Sequence, residues 1–154
     1  MELSNIIRPE AIRLVSTATS KKRLFQDLGE LAAGAHGVPV QEATEALMER
    51  ESLGPTGVGK GIALPHARLP GLKQVVGVFV RLEKPIDFNA VDRQPVDLIL
   101  ALFAPAESGV EHLKALALVS RTLRDTAVCA KLRSNVDTAT LYAVLTEAAA
   151  SEAA

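Results

Sequence analysis

The sequence is poor in aromatic residues and cysteine, and these shortages exclude several kinds of protein. Aromatics make up only 3% of the 154 residues and tryptophan is absent, so the core must be built from Ala, Leu, Val and Ile. The single cysteine, Cys129, excludes an internal disulfide and a metal cluster held by several thiolates. It lies in the segment TAVCAKL, which favours a small, buried, apolar role.

Excess charge of one sign and long apolar runs are equally scarce. The formal net charge is −1, which argues against a nucleic-acid-binding surface or a polybasic membrane patch. No apolar run reaches the length of about 18 residues that a membrane span needs, and no secretory leader pattern occurs. We therefore expect a soluble, cytoplasmic protein, without membrane insertion, that forms one domain over residues 1–154.

Helical and extended patterns along the chain predict an α/β fold of three layers. Ser20 is a suitable N-cap for the first helix, and Pro39 is tolerated at the start of the second. The most apolar run, VDLILALF at 96–103, predicts a central strand. Helices are predicted at both ends of the chain, with three or four strands between them, which gives the three-layer arrangement. Strands are expected at 11–15, 61–64, 75–82 and 96–103, and helices at 20–35, 39–50, 111–125, 126–132 and from 138 onward.

The remaining segments are interpreted as connections. His36 stands between Gly34 and Gly37 at the end of the first helix, where a solvated or capping role is expected. The predicted connections are an extended or loosely turned arm at 1–9, turns at 67–73 and 107–109, a mainly irregular stretch at 83–95, and a terminus that frays at 150–154.

The most informative segment is RESLGPTGVGKGIALPHAR, at residues 50–68. Four of its residues are glycines within eight positions, which disfavours both a helix and a regular strand. Such a segment suits backbone that turns sharply or approaches a ligand closely. Pro65 fixes its own φ and removes an N–H directly before His66, so the histidine is presented from a stiff corner.

One interpretation of this segment is a nucleotide-binding P-loop, since GPTGVGK at 54–60 matches GxxxxGK. The next position should be Ser or Thr, whose hydroxyl holds magnesium, but it is Gly61. The motif should also follow a buried strand and open a helix, whereas a helical pattern precedes it and a short apolar run ending in proline follows. The P-loop interpretation is therefore disfavoured.

The other interpretation makes His66 a nucleophile that carries a phosphoryl group on a ring nitrogen. Neutral imidazole is available near pH 7 and is nucleophilic without a metal. Nearby glycines would let backbone N–H groups point at phosphate oxygens, with Thr56 and Gly57 as candidate phosphate-binding residues. The alternatives are that His66 merely caps a strand end and that Thr56 only holds the loop.

Two further residues are candidates on their position alone. Arg50 ends the second predicted helix, where it could clamp a phosphate or simply compensate the helix dipole. His112 falls in the first turn of the helix after the central strand, where ligands of α/β sheets often bind. It could equally be a half-buried histidine that packs over the strand.

Three long segments of the chain resemble one protein family, the phosphotransferase-system IIA proteins of the fructose/mannitol type. They are RESLGPTGVGKGIALPHAR, VVGVFVRLEKPIDFNAVDRQPVDLILALFAP and EHLKALALVSRTLRD, and the resemblance covers most of the chain from about residue 20 onward. The stand-alone nitrogen-regulatory branch of that family is the most similar. The resemblance implies a mixed β-sheet flanked by helices.

The same resemblance assigns roles to the candidate residues. It implies that His66 accepts the phosphoryl group on Nε2, that His112 is the second active-site histidine, and that Arg50 belongs to the site. It also implies an HPr-like phosphohistidine protein as donor, no cofactor or metal, and regulated target proteins such as sensor kinases or transporters. Two alternatives stay open: a transport component that passes phosphate to a separate IIB protein, and a binding module without turnover.

Overall fold

A computed structural model of the protein describes residues 1–107 and 109–153. Ser108 of the predicted 107–109 turn and Ala154 of the terminus predicted to fray therefore lie outside the described residues. Within the described part of the chain, no helix is both long and apolar enough to cross a bilayer.

The centre of the fold is one mixed β-sheet. Its strands are β1 (Ile12–Val15), β2 (Gly57–Gly59), β3 (Ile62–Ala63), β4 (His66–Leu69), β5 (Val76–Ile86) and β6 (Val96–Pro105). Across the sheet the strands are ordered β1-β5-β6-β3-β2. β3 and β4 both pair with β6, and β4 pairs with the part of β6 nearer its C-terminal end. β5 runs antiparallel to β6, while β1 is parallel to β5, and β3 and β4 are parallel to β6. The mixed sheet with β6 at its centre is confirmed.

Two groups of helices cover this sheet. The helices are α1 (Lys21–His36), α2 (Val40–Ser52), α3 (Val110–Arg124), α4 (Thr126–Ser134) and α5 (Thr138–Ala153). α1 and α2 pack on each other and on β5 and β4, whereas α3, α4 and α5 pack together and on β6 and β1. Residues 76–80 of β5 are buried at every position, as expected for a strand covered on both faces. The three-layer α/β prediction is confirmed.

Local capping explains where α1 and α4 begin. The Ser20 hydroxyl accepts a hydrogen bond from the backbone N–H of Arg23 (3.0 Å), so α1 starts where the N-cap prediction placed it. The Asp125 carboxylate accepts from the N–H of Ala127 (2.9 Å) and separates α3 from α4. Cys129 on α4 is buried, its Sγ lies 3.2 Å from the Leu123 carbonyl, and burial raises the pKa of the thiol.

Several predicted connections are in fact ordered and paired, because tertiary contacts override local composition. The arm at 1–9 forms a 3-10 helix at Leu3–Asn5 and buries Leu3, Ile6 and Ile7, and a second 3-10 helix follows at Pro9–Ala11. The predicted turn at 67–73 begins as strand β4, and β5 extends through residue 86 into the stretch predicted to be irregular. His36 is half-buried rather than solvated, with its Nε2 2.8 Å from the Gly77 carbonyl oxygen.

The segment that matched a P-loop is instead a β-hairpin. β2 and β3 pair antiparallel, and Lys60 lies in the turn between them. The residues that follow this turn form strand β3 rather than a helix. The Lys60 N–H donates to the Asp92 carboxylate (2.8 Å), which holds the turn closed. This topology excludes the P-loop, because the lysine does not open a helix N-terminus.

An ion pair locks the base of this hairpin. Arg133 of α4 donates through Nε and Nη2 to both carboxylate oxygens of Asp97 (2.9 Å each), and Nη2 also donates to the Lys60 carbonyl (2.8 Å). Gly61 lies directly beneath this pair with φ +81°. The glycine cluster of the sequence therefore serves packing at this position.

Candidate functional site

Three of the sequence-predicted residues meet in one cavity of about 480 Å³. His66 is the first residue of β4, Arg50 lies in the last turn of α2, and His112 lies in the first turn of α3. They converge because α2 packs on β4, and because β4 pairs with the strand whose end leads into α3. The structure thus brings together Arg50, His66 and His112, of which the first and last are 62 residues apart in the sequence.

His66 is held in one orientation by its neighbours along the chain. Its Nδ1 lies 2.9 Å from the carbonyl oxygen of Leu64. Because a carbonyl can only accept, Nδ1 carries the proton in this hydrogen bond, and Nε2 of the neutral ring keeps a free lone pair. The Pro65 carbonyl accepts from the N–H of Leu102 (2.9 Å), which ties this corner to β6. The geometry therefore leaves Nε2 as the ring nitrogen whose lone pair is available to a ligand in the cavity.

His112 is the buried partner of His66. The two ring centroids are 5.5 Å apart with an angle of 71° between the ring planes, and His112 is only 7% exposed. Within the described residues its buried Nε2 has no hydrogen-bond partner. Burial, and after it the nearby His66 and Arg68, hold the pKa of His112 below its usual value, so the ring is neutral at pH 7. An unpartnered buried ring nitrogen suits a ligand that arrives from solution.

Arginine side chains make the cavity attractive to anions. Arg50 donates from Nη1 to the Gly54 carbonyl (3.0 Å), which fixes its guanidinium beside the hairpin and leaves its Nη2 face for another acceptor. Arg68 also lines the cavity and had not been expected from the sequence. The turn predicted for 67–73 concealed it, although alternation along a strand that starts at His66 would have placed it on the same face.

Thr56 and Gly57 lie outside this cavity, at the start of the hairpin. The Thr56 hydroxyl and N–H both donate to the Glu51 carboxylate, whose other contact is Lys21 (2.6 Å). A Cβ added to Gly57 would lie 2.8 Å from the Cβ of Ala90, so this glycine permits close packing. These contacts match the loop-holding alternative for Thr56, and a phosphate-binding role for either residue stays a prediction.

The rim of the cavity is apolar and exposed. Leu53 at the end of α2 is 81% exposed and Leu113 on α3 is 68% exposed, and both line the cavity. Exposed leucines beside a reactive side chain favour docking of another protein over binding of a small polar molecule. Within the described residues, no group of three or more His, Cys, Asp or Glu side chains is arranged to hold a metal ion.

Comparison with known proteins identifies similar chains along almost the whole length. Residues 5–148 match the family model described as "Phosphoenolpyruvate-dependent sugar phosphotransferase system, EIIA 2". A nitrogen regulatory protein of Bradyrhizobium diazoefficiens is 44% identical over 145 residues, which is 94% of this chain and 95% of that protein.

Solved structures give the same result for the fold. The nitrogen regulatory protein IIA-Ntr of Neisseria meningitidis superposes with a TM-score of 0.86 at 34% identity, covering 94% of this chain and 99% of that one. The mannitol enzyme IIA of Escherichia coli, solved in complex with phosphorylated enzyme IIB, has a TM-score of 0.76. It is 21% identical, with coverage of 92% of this chain and 99% of that one, so it supports the shared fold alone.

Proposed function

This chain belongs to the phosphotransferase-system EIIA 2 family, in its nitrogen-regulatory branch, and on that premise we propose that it is a regulatory phosphocarrier. His66 receives a phosphoryl group on Nε2 from an HPr-like phosphohistidine protein, and the phosphorylation state decides which target proteins are bound. The observation that carries this proposal is the shared cavity of His66 and His112, whose rings lie 5.5 Å apart beside Arg50.

The transfer step follows from the tautomer of His66. Its Nε2 attacks the phosphorus of the donor in line with the leaving nitrogen, so that a new P–N bond forms as the donor's P–N bond breaks. The electron pair of the broken bond returns to the donor's ring nitrogen. Nδ1 of His66 keeps its proton, and the Leu64 carbonyl at 2.9 Å stabilises the positive charge that the ring acquires.

Positioning and charge stabilisation are then the main tasks of the protein. Both sides of the exchange consist of one histidine and one phosphohistidine, so the overall free-energy change is small and the barrier is the quantity to lower. Arg50 reaches the phosphoryl oxygens with its remaining guanidinium donors, and the unpartnered ring nitrogen of His112 donates to one of them. The lowered pKa of His112 favours the neutral imidazole, and the neutral ring donates from Nε2 when its single proton lies on that nitrogen.

The surroundings of the cavity suit a protein donor. A carrier protein would cover the exposed Leu53 and Leu113 and place its phosphohistidine over His66 while water is excluded. In this proposal residues 1–154 act as one domain in the cytoplasm. A phosphoryl charge of about −1.5 to −2 on a protein of net charge −1 then changes the surface that targets such as sensor kinases or transporters recognise.

The proposal is tested by the chemical form of the modification. After incubation with a phosphorylated HPr-like donor, we expect one acid-labile phosphoryl group on His66, and ³¹P NMR should identify the Nε2 isomer. The hydrogen bond from Nδ1 to Leu64 leaves no lone pair on that nitrogen, so little Nδ1 isomer should form. Labelling of another side chain, or the Nδ1 isomer on His66, would refute the proposed chemistry.

Substitution of His112 separates its role from that of His66. His112→Leu, which removes the N–H donor, should slow phosphoryl transfer at saturating donor by roughly 10²-fold, the usual cost of losing one preorganised donor to a transition-state oxygen. His66 should still become labelled in the end. Rapid-quench kinetics measure the change, and His36→Gln, a histidine outside the cavity, is the matched control that should keep its rate. An unchanged rate in His112→Leu would leave His112 as a packing residue only.

A transport role is the second candidate, because the mannitol IIA of similar fold is known in complex with phosphorylated IIB. Addition of a purified IIB protein to the phosphorylated chain distinguishes the two roles: rapid onward transfer favours transport, and retention of the phosphoryl group favours regulation. A binding module without turnover would not be labelled by the donor at all. Capture of cellular targets by the phosphorylated and unphosphorylated forms, compared with His66→Ala, then identifies which state is the signal.

A further inference from the structure

The first two outward-facing residues of β4 are His66 and Arg68. Along this strand Ala67 and Leu69 are buried, while His66 is half-buried and Arg68 is exposed, so the two polar residues share one face. Same-face neighbours in a strand are about 7 Å apart, a span that an arginine side chain bridges readily. Both side chains line the same cavity, and Arg50 borders it from the C-terminal end of α2.

Arg68 makes a weak contact in the unphosphorylated protein. Its Nη1 donates to the carbonyl of Ala106, just after β6, at a distance of 3.2 Å. This is a neutral acceptor at the long end of the hydrogen-bond range, and the arginine is exposed around it. The charge of Arg68 already acts within the cavity, since it is one of the causes that lower the pKa of His112.

We propose that Arg68 is a second phosphate-binding arginine, which releases the Ala106 carbonyl and binds an oxygen of the phosphoryl group on His66. This inference rests on the proposed function of His66. A guanidinium on an ionised phosphoryl group forms an ion pair with short hydrogen bonds, whereas the Ala106 carbonyl is one neutral acceptor at 3.2 Å, so the exchange is favourable. Arg50 and Arg68 then hold the group from two different elements, α2 and β4.

The exchange also links the environment of a nearby peptide group to the phosphorylation state of His66. When Arg68 leaves, the carbonyl of Ala106 loses its side-chain donor, and the peptide group that joins Ala106 to Glu107 is free to change its environment. This peptide group lies on the path from β6 to α3, the helix that carries His112. Phosphorylation of His66 therefore changes the environment of backbone atoms that do not themselves contact the phosphoryl group.

The test measures the equilibrium constant for phosphoryl transfer from the donor, and compares the wild type with each variant. Arg68→Gln should lower the equilibrium constant about tenfold, as expected for loss of one charge-assisted hydrogen bond. Arg68→Lys should recover most of this loss, and Arg121→Gln, which removes an exposed arginine of α3 outside this cavity, should match the wild type. An equilibrium constant is independent of transition-state effects, so the measurement isolates the stability of the phosphorylated form.

A second measurement follows the released carbonyl directly. On phosphorylation, the amide resonance of Glu107 should shift in the wild type and in Arg121→Gln, but not in Arg68→Gln. If the equilibrium constant of Arg68→Gln equals that of the wild type, or the Glu107 shift persists in this variant, Arg68 does not bind the phosphoryl group. A wild type that takes up no phosphoryl group refutes the proposed function itself, so the two failures are distinguishable.

Discussion

Replacement of His66 by glutamine should reduce phosphorylation by the donor to background, a loss of at least about 10³-fold in transfer rate, because the nucleophile itself is gone. Glutamine keeps a polar side chain of similar length at this half-buried position. The fold of β4 should therefore survive, and the loss would report chemistry alone. Intact-protein mass spectrometry after incubation with phosphorylated donor measures the outcome.

Two controls make this result interpretable. His112→Leu and His36→Gln remove the other two histidines of the chain one at a time, and both should still be labelled, the first slowly. Circular dichroism should show that all three variants fold. If His66→Gln accepts a phosphoryl group at a rate near that of the wild type, His66 is not the acceptor and the proposed function loses its central residue.

The second large effect is expected at Gly61, where Gly61→Ala should lower the free energy of unfolding by about 3 kcal/mol. A φ of +81° costs an alanine about 1–2 kcal/mol. The added Cβ would also lie 2.5 Å from Nη2 of Arg133 and 2.8 Å from Oδ1 of Asp97, which forces this partly exposed ion pair apart. Loss of that geometry accounts for the remainder, about 1–2 kcal/mol.

Gly71 provides a control, because its backbone has a similar positive φ but no atoms lie close to the position of an added Cβ. Its φ is +87°, and an added Cβ would have no atom within 4 Å, so Gly71→Ala measures the backbone cost alone. Urea unfolding followed by circular dichroism gives both free energies. In the background of Arg133→Ala, the extra cost of Gly61→Ala should largely disappear. Equal costs for Gly61→Ala and Gly71→Ala would show that the ion pair does not constrain this glycine.

The sequence predicted the parts of this molecule that local signals determine. Ser20 predicted the start of α1 through its capping side chain, and the apolar run at 96–103 predicted the central strand β6. The glycine-rich segment ending in Pro65-His66, with Arg50 before it and His112 on the next helix, led to the three residues that share the cavity. The resemblance to the IIA family rested on the same segments, and the family is now established by comparison.

The parts that could not be predicted depend on contacts between distant segments. β4 has only four residues, and the turn signal Pro70-Gly71 directly after it predicted a turn there; it is extended because it pairs with β6. Without that strand, Arg68 had no reason to face the same side as His66. The N-terminal arm is ordered by burial of Ile6 and Ile7 rather than by any propensity of its own. Thr56 was a candidate because hydroxyls bind phosphate, but its carboxylate partner, Glu51, becomes visible only in three dimensions.

The ring of His66 has little freedom to turn, since the Leu64 carbonyl holds one nitrogen and the Pro65 carbonyl is bonded to the N–H of Leu102. Under the proposed function, a phosphoryl group on such a ring keeps one position relative to the protein. The donor, and any protein that later takes the group from His66, would then bind at the same apolar rim, around Leu53 and Leu113. Because the two would compete for this one surface, a complex of all three proteins is not expected to form.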